Sequence, residues 1–401
     1  MKVETATTFN APLARWGRLA ANCTAHMTEH LFNAVVVVIL PIMTVTLGLS
    51  MAQAGALASA RTFLAGVASF PSGFFADLAS RRNLSLGFCV ALIGVAALGL
   101  SASSSFPLLM IFMGLGGFGG GWFHPQSLAI LSARYRAQKA FALGVHDSSA
   151  NFGEVIGPLA IALLLNFFDW RAALMIWALP GLAVGLAYAL FGAEGGVAVE
   201  RTREYRRALW NDVIKNRSVC GLVAVSTLRA MGQTALASFL PLYLSLHLNF
   251  TAGAVGGYMS TLFLCAGMAP AIVGWISDRV GHRILILVFS SFSAAAVAAL
   301  PFMGSGVILI CGLGGLGALL WALRPVVVSA ALSSAPPDLS GSIVACIYGA
   351  NMSVSFLAPM MAGVIADGYG LPTALMSIAL FPLSAAVVSF MLLKPGRPER
   401  S

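Results

Sequence analysis

The sequence predicts an all-α membrane protein with twelve transmembrane helices arranged as two pseudo-symmetric six-helix bundles. Three observations carry that prediction. Of 401 residues, 59% are hydrophobic and only 9% charged, whereas soluble domains carry about 25% charged residues. So much apolar surface exceeds what a water-soluble core could hide, and it must turn toward lipid. Twelve runs of about 20 apolar residues follow one another along the chain. Finally, distinctive residues recur at an offset of 200 or 201 positions, the mark of a duplicated unit.

The runs fall at residues 19–46, 52–76, 83–103, 106–132, 139–166, 171–192, 218–246, 252–276, 283–303, 306–333, 341–366 and 371–393. The first is long and holds His26, Glu29 and His30, unlike the short apolar core of a cleavable signal, so it is expected to be retained. A polar stretch containing RTREYRR separates six runs from six. This gives an N-terminal bundle over 1–193, a linker over 194–217 and a C-terminal bundle over 218–401. Between the halves Leu40 and Pro41 align with Leu240 and Pro241, Gly73 and Asp77 with Gly274 and Asp278, Arg82 with Arg283, Pro125 with Pro325, and Pro158 with Pro359. Two similar bundles can rock about a midplane cavity and expose it to each side in turn.

A net charge of +9 suggests nucleic acid until the basic residues are placed on this topology. Nineteen of the 23 fall on one face, in the termini and the loops after even-numbered spans, and only Arg171 lies on the other. That asymmetry predicts an inner-membrane protein with both termini in the cytoplasm, and it removes the nucleic-acid reading. The six cysteines lie in or beside apolar runs with no metal-ligand spacing, so neither disulfide nor metal nor other cofactor is expected. There is no G-x-S-x-G, H-E-x-x-H or nucleotide loop to suggest a membrane enzyme.

After the second run the chain reads Gly73-Phe-Phe-Ala-Asp77-Leu-Ala-Ser-Arg81-Arg82, and after the eighth Gly274-Trp-Ile-Ser-Asp278-Arg279-Val-Gly-His-Arg283. Both resemble the loop signature of the major facilitator superfamily, although Leu78 and Ser80 replace its central Arg and Gly in the first copy. The resemblance implies cytoplasmic gating loops that latch an outward-open state. In the fifth run, Gly144, Gly153, Gly157 and Pro158 have the spacing of a close-packing face with a kink. That pattern is similar to the antiporter motif of the superfamily, with Ile161 and Ala162 in place of its closing glycines. Trp122-Phe-His124-Pro125, Asn151-Phe-Gly153, Gly157-Pro-Leu159 and Asp169-Trp-Arg171 together resemble the fosmidomycin-resistance-like group within it.

Inside the runs stand three carboxylates, Glu29, Asp147 and Glu154, and three arginines, Arg61, Arg229 and Arg324. A charge at the bilayer centre costs about 3 kcal/mol or more, so each should face a partner, a cavity or water. In the first run Asn22, His26, Glu29, His30 and Asn33 lie three or four residues apart, a polar stripe that must look inward. Histidine titrates near neutral pH and a neighbouring carboxylate tunes it. His26, Glu29 and His30, with Asp147 and Glu154, are therefore the proton-coupling candidates. Guanidinium forks suit carboxylate, phosphate and phosphonate. The superfamily resemblance implies that the first, fourth, seventh and tenth helices line the cavity. Asn33, Arg61, His124, Arg229, Gln233, Arg324 and Asn351 are the substrate-binding candidates, with Arg324 standing where His124 stands in the other half. The resemblance and these residues together imply a monomeric secondary transporter in the bilayer, a proton-coupled exporter of a small organic compound. Uptake of a small organic anion is the alternative.

Overall fold

The computed structural model describes residues 12–78, 82–135, 138–191, 215–334 and 340–393. All regular elements among them are helical, and each predicted span falls on one membrane-crossing helix. The first half comprises α1 (Pro12–Thr46), α2 (Met51–Leu78), α3 (Arg82–Ala102), α4 (Phe106–Arg134), α5 (Lys139–Leu164) and α6 (Trp170–Phe191). The second comprises α7 (Arg217–Leu242), α8 (Ala252–Val280), α9 (His282–Ala299), α10 (Val307–Leu332), α11 (Ser340–Ser355 and Leu357–Tyr369) and α12 (Leu371–Ile378 and Leu380–Leu392). Ten are long and apolar enough to cross a membrane by composition alone. The other two are α2 and α5, at 28 and 26 residues, which carry Arg61 and the pair Asp147 and Glu154.

Asn216 starts α7 by accepting hydrogen bonds from the amides of Ser218 and Val219, satisfying donors that a helix start leaves free. The same helix ends in a widened turn, with the Leu248 amide reaching back to the Tyr243 carbonyl. Pro241 just upstream has no N–H to offer an ordinary turn. Residues 194–214, most of the expected linker, lie outside the described residues.

Within the first half α3 packs on α6, α2 on α4 and α1 on α5; in the second, α8 packs on α10 and α12 on α7 and α9. The halves meet chiefly along two crossings, α2 with α11 and α5 with α8, with a lesser contact of α1 with α7. One device built twice holds both. Gly55 of α2 lies against the carbonyl of Pro359 and Gly256 of α8 against that of Pro158, where an added Cβ would sit 2.6 Å from the Pro158 oxygen. One turn on, Ser59 donates to the Phe356 carbonyl (2.5 Å) and Ser260 to that of Val155 (2.7 Å). Further along, Gly66 meets Met352 and Gly267 meets Asn151. Every member of the first crossing stands 201 positions from its counterpart in the second. Small residues let the backbones approach, and the serines satisfy carbonyls with no water to do so.

These contacts lie toward the end that carries the α1–α2 and α7–α8 turns. There a single apolar cluster draws Val35, Ile39 and Met43 together with Phe239, Leu240 and Ala358 from the other half. Toward the opposite end the buried apolar residues divide into clusters confined to one half. Among the described residues the halves therefore share an apolar core at the turn end and none at the other, where the half-exposed Arg324 and Asp147 face each other across a gap, the vestibule between the bundles. Outward-facing Leu179, Leu186, Phe292 and Val387 present the apolar surface that lipid requires.

The tight crossing predicts an asymmetric response to a single methyl group. Gly256→Ala is expected to cost about 1–3 kcal/mol, because the backbone it meets cannot move aside cheaply. Gly257→Ala, whose added carbon meets nothing within 4 Å, is expected to be neutral or slightly stabilising. Thermal denaturation of the purified protein in detergent separates the two.

Candidate functional site

The polar stripe of α1 faces the interior, and its centre is Glu29, whose side chain is 3% exposed. Asn33, one turn further on, donates to Oε1 at 2.7 Å. Arg61 of α2 reaches the same oxygen at 3.5 Å and also donates to the Asn33 side-chain oxygen. On the other side, Nε2 of His30 lies 3.3 Å and Nε2 of His124, on α4, 3.5 Å from Oε2. Neither imidazole is aligned for a hydrogen bond, and Oε2 is buried with no partner of that kind among the described residues. Room for the carboxylate comes from Gly120 of α4, where an added Cβ would lie 2.5 Å from Oε1.

His30 carries the network onward, with Nδ1 3.0 Å from Oε1 of Glu154 on α5. His26 is buried, and its Nδ1 lies 2.8 Å from the carbonyl of His146. A carbonyl only accepts, so Nδ1 of His26 bears the proton. Its ring stacks on that of His146 at 3.7 Å and 9° and meets His30 and His124 edge-on. Behind it runs a chain of buried polar groups: Nε2 of His146 is 3.3 Å from Ser127, which donates to Asn22, which in turn donates to the Tyr188 hydroxyl. Ring nitrogens of His26, His30 and His124 come within 4.8 Å of one another. Ligand nitrogens on a tetrahedral zinc ion would stand roughly 3.3 Å apart, so a metal would have to draw the three rings inward.

The remaining candidates lie in the second half. Arg324 of α10 pairs with Asp147 of α5 at 3.2 Å across the gap between bundles, and both side chains are about half exposed to the vestibule. Gln233 of α7 donates to the Leu320 carbonyl, and Asn351 of α11 donates to Ser226 and accepts from Thr227. Arg229 is 2% exposed, and its Nε and Nη1 have no partner among the described residues. The structure therefore gathers His26, Glu29, His30, Asn33, Arg61, His124 and Glu154 into one cluster. It places Arg324 with Asp147, and groups Arg229, Gln233 and Asn351 along α7, α10 and α11.

The α1–α5 contact and the α8–α9 loop hold other candidates. Gly153 and Gly157 lie against Met27, Leu31 and Ala34 of α1, whereas Gly144 is exposed and a Cβ added there would meet nothing within 4 Å among the described residues. Gly274 likewise meets no neighbour. Arg279 lies over the Trp275 ring and Arg283 donates to the Phe390 carbonyl, so both engage their own half. Arg81 lies outside the described residues, as do the side chains of Asp77, Arg82 and Asp278 and the surroundings of Gly73.

Residues 23–359 match the Major Facilitator Superfamily. The chain belongs to this superfamily. Among relatives, it is 25% identical to a "Probable 4-methylmuconolactone transporter" of Cupriavidus pinatubonensis, over 90% of this chain and 86% of that one. It is 24% identical to the multidrug resistance protein MdtG of Proteus mirabilis, over 83% and 82%. The fold matches a bacterial homolog to human lysosomal transporter Spinster in an inward-facing and occupied conformation. The TM-score is 0.84 at 17% identity, covering 96% of this chain and 97% of that one. This superfamily member is thus a multi-pass membrane transporter of small molecules, and the varied names of its relatives leave its solute to be argued from its own residues.

Two residues escaped the sequence reading. His146 stands seven positions before Gly153, hence on the α5 face turned to α1, and that spacing was the available signal. Asp367 lies one residue past the predicted eleventh span, yet it accepts hydrogen bonds from the amides of Met51 and Ala52, at 2.8 and 2.9 Å. A carboxylate from one half thus caps the first turn of a helix in the other, where the helix dipole favours negative charge.

Asp367→Ala is expected to cost about 1 kcal/mol or less, because the cap is exposed to solvent. It should also raise the labelling rate of a cysteine placed at Ser50 of the closed end. Arg61→Leu is expected to cost more, about 3–5 kcal/mol, since it leaves Glu29 buried without its cation. Adding Glu29→Gln to Arg61→Leu should recover part of that loss, and a double-mutant cycle of melting temperatures checks it.

Proposed function

We propose that this transporter is a proton-coupled exporter of a small organic compound, working as a monomer by alternating access in the bacterial inner membrane. The observation that carries the reading is the Glu29 cluster. A buried carboxylate is shared between one guanidinium and two imidazoles, and one of those imidazoles continues to a second carboxylate, Glu154. Such a network can take up or release a proton by small shifts of partners already in place, at the depth where the two bundles rock.

The vestibule opens at the end where the basic residues concentrate, and the positive-inside rule makes that end and both termini cytoplasmic. The bundles 1–193 and 218–401 would then rock about α2–α11 and α5–α8, joined by the linker 194–217. The loops around Asp77 and Asp278, with Arg81, Arg82, Arg279 and Arg283, are proposed to latch once the cytoplasmic end closes. In the present state Arg279 and Arg283 are turned to their own half. Export is favoured by the α5 glycine face, of which Gly153 and Gly157 pack on α1 beside the cluster. Within the superfamily, the runs from Trp122 to Arg171 favour the fosmidomycin-resistance-like group.

Everted vesicles test the coupling. A growth screen of an overproducing strain against toxic compounds first supplies those it resists. Adding these to vesicles acidified inside is expected to release luminal protons with the wild type and not with Glu29→Gln. Unchanged internal pH for every compound would sink proton coupling. Accumulation of solute by whole cells in place of resistance would reverse the direction to uptake.

A further inference from the structure

The second half contains a buried cation, Arg229, for which the described residues supply no carboxylate partner. On α7, Ser226, Arg229 and Gln233 are spaced three and four apart and so share a face. Ser226 is tied to Asn351 of α11 and Gln233 to the Leu320 carbonyl of α10, which aims the face at the α10–α11 seam. Arg229, between them, is different: its Nε and Nη1 are buried with no hydrogen-bond partner among the described residues. Arg229 stands one turn before Gln233 and Arg324 one turn past Leu320, so the Gln233–Leu320 bond brings the two arginines to the same seam, where each acts electrostatically on the other's surroundings together with the Tyr348 phenol. The three carboxylates inside the predicted apolar runs, Glu29, Asp147 and Glu154, belong to the first half, and those on second-half helices, Asp278 and Asp367, stand near helix ends. A buried guanidinium without a counter-ion is costly, more so beside a second one.

We infer that the missing counter-ion is the solute itself: Arg229 and Arg324, with Tyr348 and Asn351 beside them, form a binding site for the carboxylate or phosphate group of a soluble organic anion entering from the vestibule. Arg324 is the gate of that site, since its present partner Asp147 is half exposed and can be displaced. Guanidinium forks bind such groups through two parallel hydrogen bonds. The inference rests on the transporter reading but not on proton coupling, and it gives the unspecified small compound a charge.

The test measures melting temperature of the full-length protein in detergent against benzoate, succinate, inorganic phosphate and glucose 6-phosphate, with benzamide, succinamide and glucose as neutral counterparts. At least one anion is expected to raise the melting temperature in a saturable way while its neutral counterpart does not. Arg229→Gln should weaken that apparent affinity about tenfold or more, and Arg229→Lys less. Because it removes an unbalanced charge, Arg229→Gln should also melt no lower than wild type without ligand, so failure to fold is visible separately. Parallel measurements in phosphatidylcholine nanodiscs with and without phosphatidylglycerol separate a lipid headgroup from a solute. Stabilisation by phosphatidylglycerol alone, by no anion, or undiminished in Arg229→Gln overturns the inference. Arg229-dependent anion binding in a protein whose vesicles show no proton movement would instead overturn the coupling and leave this site standing.

Discussion

A carboxylate in the middle of a bilayer survives only if the protein surrounds it, and the first half of this transporter is organised around that demand at Glu29. Four helices contribute: Asn33 and His30 from α1 itself, Arg61 from α2, His124 from α4, and Glu154 from α5 through His30. Helix α4 makes the convergence possible by being thin. Its glycines at 117 and 121 rest on the α2 backbone at Arg61 and Ala65, Gly119 approaches Cys89 of α3, and Gly120 leaves the space that Glu29 fills. The glycine run of α4 is thus an electrostatic device as much as a packing one. Bulk there would push Arg61 away and leave the carboxylate unpaired in a medium that cannot solvate it.

The joint between the halves obeys a different rule. It is neutral, dry and nearly symmetric, made of glycines against proline carbonyls and serine hydroxyls on backbone oxygens, repeated at an offset of 201. In lipid, contacts between helices gain little from burying apolar side chains, so close backbone approach and satisfied carbonyls must do the holding. Duplication supplied both crossings at once. The departure from symmetry is the Asp367 cap on α2, whose counterpart position 201 residues earlier is Asn166. It puts a charge-assisted bond on one of the two crossings, at its solvent-exposed end.

Much of this was legible in the sequence, for reasons that also mark the limit. Composition and apolar run length fix the number of spans because hydrocarbon thickness does. The inward stripe on α1 was readable because its polar residues have no other tolerable direction. Periodicity gave each helix its inward face but not the pairing across faces, so His146 was passed over although it stacks on His26, and Arg229 did not announce that it lacks a partner. Glycine spacing predicts that α5 has a close neighbour, and Gly153 and Gly157 lie against α1. Gly144, on the same helix, faces open space, and spacing alone cannot say where the neighbouring helix diverges. Asp367 looked like a loop residue because its partners are two backbone amides more than 300 positions away.

The charges on either side of the vestibule explain why two similar halves need not act alike. The first half keeps an excess of carboxylate over guanidinium, with Glu29 and Glu154 against Arg61, and so favours a cation as small as a proton. The second half holds Arg229 and Arg324, and its carboxylates on helices, Asp278 and Asp367, stand near helix ends. Arg324 is linked to Asp147 by an ion pair between half-exposed side chains, which is worth little and is therefore easily exchanged. The dry joint at the closed end is the costly contact to break and the wet bridge at the open end the cheap one. A solute that replaces Asp147 at Arg324 frees a carboxylate of the first half in the same step, and that exchange joins the substrate side of the vestibule to the proton side without any contact between the two ligands.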